Sequence, residues 1–172
     1  MRLIKKLDYT TKSFKYLDKR DSARAIVMDG DNILSIYIKK DNTYSIPGGG
    51  VMPDESIEEA CIRELTEETG AVGSKILSEY GYVDEYRDSK YVRKAAFNMR
   101  SYYFLCTIEK IGQDDLDDYE KDLGFEPKWI KLDDAISHNE KAYEKFKDDD
   151  VQIIYLDRCL AVLYDIKRRM KL

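Results

Sequence analysis

Three glutamates, Glu64, Glu67 and Glu68, stand at helical spacing downstream of the glycine run Gly48-Gly49-Gly50. Carboxylates grouped in this way can hold a hard divalent cation, take a proton from water, or do both. On a helical wheel with Glu64 at zero, Ile57 falls at about 20°, Ala60 at about −40°, Cys61 at about 60° and Leu65 at about 100°. Those four define an apolar stripe that should face a core. Glu67 at about −60° and Glu68 at about 40° project from roughly the same stripe, while Glu58, Glu59, Thr66 and Thr69 take the other sides. Most Glu-rich helices simply present a solvated face. Here three like charges on the inward side would repel, and each would lose hydration at a cost of roughly several kcal/mol. Something positive must compensate. With oxygen donors only, a hard cation such as Mg2+ is the natural candidate, and Arg63 can orient a carboxylate from the flank.

The helix that carries these residues has readable ends. Ser56 caps its start, Glu59 completes the Ser-x-x-Glu capping box, and Gly70 offers a left-handed stop. Glu58 and Glu59 suit the positive end of the helix dipole. Upstream, Pro47-Gly48-Gly49-Gly50 reads as a loop that lets main-chain groups approach a ligand closely, with Glu55 in the loop that follows. Before it, ARAIVMDGDNILSIYIKK reads as two strands joined at Asp29-Gly30-Asp31-Asn32. A break at Asp41-Asn42-Thr43 precedes the short run Tyr44-Ser45-Ile46. Residues 1–20 read as an edge hairpin or a loose arm.

Downstream, Lys75–Tyr86 and Ala95–Ile108 read as strands, and so does Pro127–Leu132 with Trp129. The segment RDSKYVRK lies between the first two and carries Arg87, Lys90, Arg93 and Lys94. It reads equally as a solvated hairpin loop or as a source of cations for a substrate phosphate. In the second case Arg87 and Arg93 would contact phosphate, and Tyr86 or Tyr91 would stack on a base. Gln113–Asp122 reads as an acidic, hydrated loop, and Asp133–Phe146 as short helix and loop. Val151–Met170 reads as an amphipathic packing helix, with Val151, Ile154, Cys159, Val162, Leu163 and Ile166 at helical spacing.

Composition narrows the function classes. With 172 residues, 43% of them hydrophobic, the chain is expected to form one domain over 1–172. A net charge of −5 disfavours duplex nucleic acid as a partner. Cys61, Cys106 and Cys159 sit in apolar contexts and form no disulfide framework, which suits a reducing, cytoplasmic compartment. MRLIKKLDYT lacks a signal-peptide core and no run reaches membrane-spanning length, so no membrane is expected. One histidine, His138, in a polar segment that reads as loop, excludes a multi-histidine metal site.

Residues 49–71 also resemble a family signature, the Nudix box: Gly, five residues, Glu, seven residues, Arg-Glu-apolar-x-Glu-Glu-x-Gly-apolar. Gly49, Glu55, Arg63, Glu64, Leu65, Glu67, Glu68, Gly70 and Ala71 meet every position, with a small Ala71 where a bulkier aliphatic is commoner. The resemblance implies an α/β fold, a Nudix-type α/β/α sandwich with a mixed central sheet and a C-terminal packing helix. It implies hydrolysis of the pyrophosphate bond in a nucleoside diphosphate linked to another moiety, a small-molecule nucleotide substrate. Mg2+ would be the cofactor, with Mn2+ able to substitute, at a metal site of Gly49, Glu64, Glu67 and Glu68. Glu64 or Glu67 would double as base, and Arg63 would hold the carboxylates. The family often draws a further carboxylate from the region before a Trp-bearing strand. Glu120 is the choice here, with Asp118, Asp122 and Glu126 as rivals.

Substrate is less constrained by the resemblance. Relatives that cleave ADP-ribose often carry a proline beyond the box where this chain has Tyr86, which counts mildly against ADP-ribose. A tyrosine near that place is associated with dinucleoside polyphosphate hydrolases. Nucleoside triphosphates, capped RNA ends and nucleotide sugars stay open, as does a homodimer. The alternative function is a non-catalytic nucleotide sensor, although such proteins usually lose box carboxylates that this chain keeps. A plain Ca2+-binding module is disfavoured because no loop has spaced EF-hand ligands.

Overall fold

The computed structural model of the chain describes residues 1–89 and 94–170. Strands β1 (Leu3–Tyr9) and β2 (Tyr16–Asp29) come first, and β2 turns at Gly30 into β3 (Asn32–Ile38). This is the expected hairpin. Asn42, at a φ of 56°, leads into β4 (Thr43–Ser45), and β5 (Gly48–Gly50) follows. After α1 (Ile57–Thr69) come β6 (Ala71–Val72), β7 (Lys75–Asp88), β8 (Ala95–Thr107) and β9 (Lys110–Ile111). A short α2 (Asp118–Leu123) leads into β10 (Phe125–Lys131), and α3 (Leu132–Lys145) and α4 (Asp150–Met170) complete the described chain.

The main sheet has the order β1-β7-β8-β2-β3-β10, with β4 added to β3 and β5 to β2. It is mixed, because β1 runs parallel to β7 and β2 parallel to β8, while β7–β8 and β3–β10 are antiparallel. Alternation along the strands feeds two cores. On one face Ala23, Ala25, Val27 and Phe104 pack against Ala60, Cys61 and Leu65 of α1. On the other, Ile26, Ile33 and Tyr103 meet Ala135 and Ile136 of α3 and Cys159, Val162, Leu163 and Ile166 of α4. The result is the α/β/α sandwich with a C-terminal packing helix. The small side chains of Ala23 and Ala25 let α1 lie close to the sheet, which brings its carboxylates to the glycine strand.

Several segments differ from the sequence reading. Residues 1–20 form neither an edge hairpin nor a loose arm. β1 lies alongside β7 with Leu7 buried, and the first half of β2 extends the parallel ladder with β8 from Tyr16 opposite Ala95. These strands pair through backbone groups that every residue carries, so their side-chain pattern announces little. Gly48–Gly50 is a strand rather than a loop, paired to Ser22–Arg24. Asp133–Phe146 is a regular helix over most of its length, and His138 on it donates from Nε2 to the Asn42 carbonyl at 2.9 Å. Gln113–Asp122 is not all loop, since it contains the start of α2. On α4, Val151 is exposed, while Arg158 is buried and donates to Glu85 at 2.9 Å.

Candidate metal centre

Helix α1 is built as its sequence suggests. The Ser56 hydroxyl accepts from the Glu59 amide at 3.2 Å, the Glu59 carboxylate accepts from the Ser56 amide at 2.7 Å, and Gly70 closes the helix at a φ of 66°. The buried arc is rotated from the expected one. Thr69, assigned to the outside, is fully buried, with its hydroxyl donating to the Leu65 carbonyl and accepting from the Ala71 amide. The arc thus centres nearer Glu68 and Leu65 and leaves Glu67 at its rim. Glu64 and Glu68 are 8% and 5% exposed, whereas the Glu67 side chain is 39% exposed.

The glycine strand and these carboxylates interlock. The Gly48 amide donates to Oε2 of Glu68 at 2.7 Å. A Cβ on Gly49 would stand 2.5 Å from Oε2 of Glu64. On Gly48, at a φ of 140°, it would stand 2.2 Å from the Ala23 carbonyl oxygen. Gly48→Ala therefore combines a conformation L-residues avoid with a backbone clash, and should cost about 2–4 kcal/mol. Denaturant unfolding of the variant beside the parent chain measures it.

Arg63 organises the outer edge of the site. Its Nε and Nη2 donate to the two oxygens of Glu55 at 3.0 and 2.8 Å, and Nη2 also donates to the Gly50 carbonyl at 3.0 Å. Nη1 donates to Oε1 of Glu64 and to Oε2 of Glu67, both at 2.8 Å. Every N–H of the guanidinium is thereby used. Glu55 also accepts from the Met52 amide at 2.6 Å. The Arg63 fork, first, and that amide hold its carboxyl below the usual range.

Deeper in, charge is poorly compensated. Burial raises the Glu64 carboxyl despite Arg63. Burial pushes Glu68 up to about 8, against the pull of the Gly48 amide and of Arg24. Glu120, on α2, is also raised by burial. It is positioned by a capping box in which its carboxylate accepts from the Asp117 amide at 2.8 Å and its amide donates to Asp117 at 2.8 Å. Glu64, Glu68 and Glu120 each place a carboxylate oxygen within 4.8 Å of the others. All donors are hard oxygens, two are buried, and Arg63 and Arg24 offset their mutual repulsion only in part. That donor set fits a divalent cation of the Mg2+ class.

A pH dependence follows for the chelated protein. The folded chain holds the Glu68 proton up to about pH 8, while the ordinary carboxyl loses it near 4.5. The folded state therefore binds more protons between those values, and stability falls as pH rises through about 8. Thermal midpoints in EDTA should drop across this range, and a divalent cation should offset the drop. A midpoint independent of pH there would overturn the burial of an uncompensated Glu68.

Among the sequence candidates, Glu64, Glu68 and Glu120 converge, and Gly49 lies against Glu64. Glu67 shares the helix, but its carboxylate is held on Arg63 and stands outside the three-oxygen group. Glu126, a rival for Glu120, is paired with Lys39 and Lys128 at 2.5 and 2.9 Å. Arg87 and Tyr86 lie on β7, outside the residues that line the carboxylate cleft. Arg87 stacks over Phe97 at 4.6 Å, and the Lys6 ammonium lies over Tyr86 at 4.9 Å. Lys90, Tyr91 and Arg93 fall outside the described residues.

Two features escaped the sequence reading. Arg24 is half-buried beside the glycine strand, where its Nη1 donates to the Ile46 carbonyl at 2.9 Å and its charge acts on Glu68 and Glu64. A lone arginine inside the alternating run SARAIVMD was the available signal. Asp117-x-x-Glu120 is a second capping box, legible as a helix start within the acidic segment. Among the described residues, no helix is long and apolar enough to cross a membrane.

Known proteins resemble this chain. A family model described as the NUDIX domain matches residues 18–151. Mouse diphosphoinositol polyphosphate phosphohydrolase 3-alpha is 32% identical over 95 residues, which is 54% of this chain and 50% of that protein. Its human counterpart of the same name is 31% identical over 95 residues, with the same shares of 54% and 50%. The chain thus spans about half the length of the curated relatives it matches. A NUDIX hydrolase from Nitrosomonas europaea superposes with a TM-score of 0.53 at 18% identity, covering 76% of this chain and 90% of that one. An ADP-ribose pyrophosphatase from Streptococcus suis superposes with a TM-score of 0.51 at 18% identity, covering 87% and 92%. At those identities the two structures speak to fold.

Proposed function

The chain belongs to the Nudix family, and from that premise we propose that it hydrolyses the pyrophosphate bond of a nucleoside diphosphate linked to a second moiety. The observation that carries this reading is the convergence of Glu64, Glu68 and Glu120 within 4.8 Å beside the glycine strand. Mg2+ is the proposed cofactor, and Mn2+ suits the same oxygen donors. When bound, the cation would neutralise charge on phosphate oxygens and make a coordinated water more acidic. Glu64, Glu68 and Glu120 would hold it, with the Gly48 amide fixing the Glu68 carboxylate. Gly49 leaves the space that the Glu64 carboxylate needs.

Arg63 keeps Glu55, Glu64 and Glu67 in fixed relation, a positioning role for a residue flanking the reacting atoms. Glu67 is the proposed general base. Its Oε2 is held by Arg63, and its Oε1 has no hydrogen-bond partner among the described residues, so it can take a proton from the attacking water. Nothing in the arrangement calls for a covalent intermediate. Although β1 and most of α4 lie outside the matched stretch, they pack into the same core, and residues 1–172 are proposed to work as one domain.

The curated relatives are named as phosphohydrolases of diphosphoinositol polyphosphates, and one structural neighbour as an ADP-ribose pyrophosphatase. Both names support a phosphoric anhydride as the bond cleaved. The test is Mg2+-dependent release of phosphate or nucleoside monophosphate across nucleoside triphosphates, nucleotide sugars, ADP-ribose and dinucleoside polyphosphates, with EDTA as control. Metal-dependent release from at least one is expected. Nucleotide binding without release from any would overturn the hydrolase reading in favour of a sensor.

A further inference from the structure

We infer that Arg20 and Tyr119 form the substrate-selecting wall of the metal cleft, taking a base-bearing diphosphate in preference to a polyphosphorylated inositol. The inference rests on the hydrolase reading above and names the substrate class for that site.

The three carboxylates occupy one side of a cleft of about 510 Å³. Arg20, near the start of β2, lines it as well, and its Nη2 lies 2.6 Å from where a Cβ on Gly50 would stand. Gly50 is the residue whose carbonyl accepts from Arg63, so the second guanidinium sits over the same glycine strand from another direction. The two arginines are in opposite states. Arg63 spends every donor on protein acceptors, whereas Arg20 is exposed and has no hydrogen bond or ion pair among the described residues. A planar fork of free N–H donors beside a carboxylate cluster is suited to a phosphate held between guanidinium and cation.

The rest of that wall is not basic. Among the described residues lining the cleft, Arg20 is the one cation, and Tyr119, Phe125 and Met52 supply aromatic and apolar surface. Tyr119 is 69% exposed and adjoins Glu120 on α2, so one short helix presents both a carboxylate to the cluster and a ring to the cleft. A diphosphate needs little more positive charge than a cation and one arginine. An inositol bearing phosphates around its ring would bring several dianionic groups against tyrosine, phenylalanine and carboxylate surface, with Arg20 the one cationic side chain among the described lining residues to meet them. A nucleobase instead gains from an exposed ring, because every base has a face on which an aromatic side chain can stack.

Two exposed substitutions, Arg20→Ala and Tyr119→Ala, test this without threatening the core. The hydrolysis probes are diadenosine tetraphosphate, ADP-ribose, 5-phosphoribosyl 1-diphosphate (no base) and diphosphoinositol pentakisphosphate. The parent chain should show at least about tenfold higher kcat/KM on a base-bearing probe than on the inositol probe. Tyr119→Ala should raise KM about tenfold on base-bearing probes and distinctly less on the baseless one. Arg20→Ala should raise KM on every probe. Preference for the inositol probe, or an unchanged KM for base-bearing probes in Tyr119→Ala, would overturn the inference. Equilibrium binding of ADP with Mg2+ separates this from the hydrolase reading. If no probe is cleaved, hydrolysis fails as a function, but each variant should still weaken ADP binding about tenfold. ADP that does not bind, or that binds both variants as tightly as the parent, sinks the wall itself.

Discussion

Glu67→Gln is expected to abolish Mg2+-dependent turnover and leave the fold intact. The glutamine keeps the size of the side chain, and its carbonyl oxygen can still accept from Nη1 of Arg63 in place of Oε2. The side chain sits at the rim of α1, so the core under the helix does not change. What disappears is a group able to take a proton, and general-base loss typically lowers kcat by about 10² to 10⁴-fold. Saturating Mg2+ should not rescue the variant, because Glu67 stands outside the three-oxygen group. The check is kcat over a Mg2+ titration, together with a thermal melt. Hydrolysis at the parental rate would remove Glu67 from the mechanism.

Arg63→Ala should combine a loss of stability with a loss of activity. One guanidinium holds Glu55, Glu64, Glu67 and the Gly50 carbonyl. Without it, three carboxylates are left close together with no cation between them, and the side chain is only 22% exposed, so water compensates in part. Removing one partner of such a set costs about 3–5 kcal/mol when it is buried, and about 3 kcal/mol is expected here. Turnover should fall by about 10²-fold or more, since misplacing a catalytic group by about 1 Å already has that effect. Arg63→Lys restores the charge but not the fork that grips Glu55 with two bonds, so it should recover stability better than activity. Denaturant unfolding and steady-state kinetics on the three proteins decide this. Equal stability of Arg63→Ala and the parent would show that the hub carries no weight.

The first half of the site was legible because its chemistry is local. Helical periodicity places Glu64 and Glu68 on the buried arc, and Ser56, Glu59 and Gly70 bound the helix through contacts a few residues long. The turn at Gly30 and the packing helix α4 belong to the same class of signal. The resemblance of residues 49–71 to the Nudix box implied that Arg63 holds the carboxylates, and the structure brings Arg63 into contact with Glu55, Glu64 and Glu67.

Tertiary structure decided which carboxylates meet. Glu120 reaches Glu64 and Glu68 across the chain, from an α2 that leads into β10, paired with β3, and that lines the same cleft as the glycine strand. Glu67, which the helical wheel groups with Glu64 and Glu68, is instead held by Arg63 at the rim of the arc. β1 and the first half of β2 pair in parallel through the main chain, and main-chain groups carry no sequence record of their partner. Arg24 gains its influence on Glu68 from the register that sets it opposite Gly48. Spacing along one helix depends on neighbours in the chain and can be read from them. Convergence of charge across strands depends on pairing, register and the energy of burying ions together, which only the folded chain brings into being.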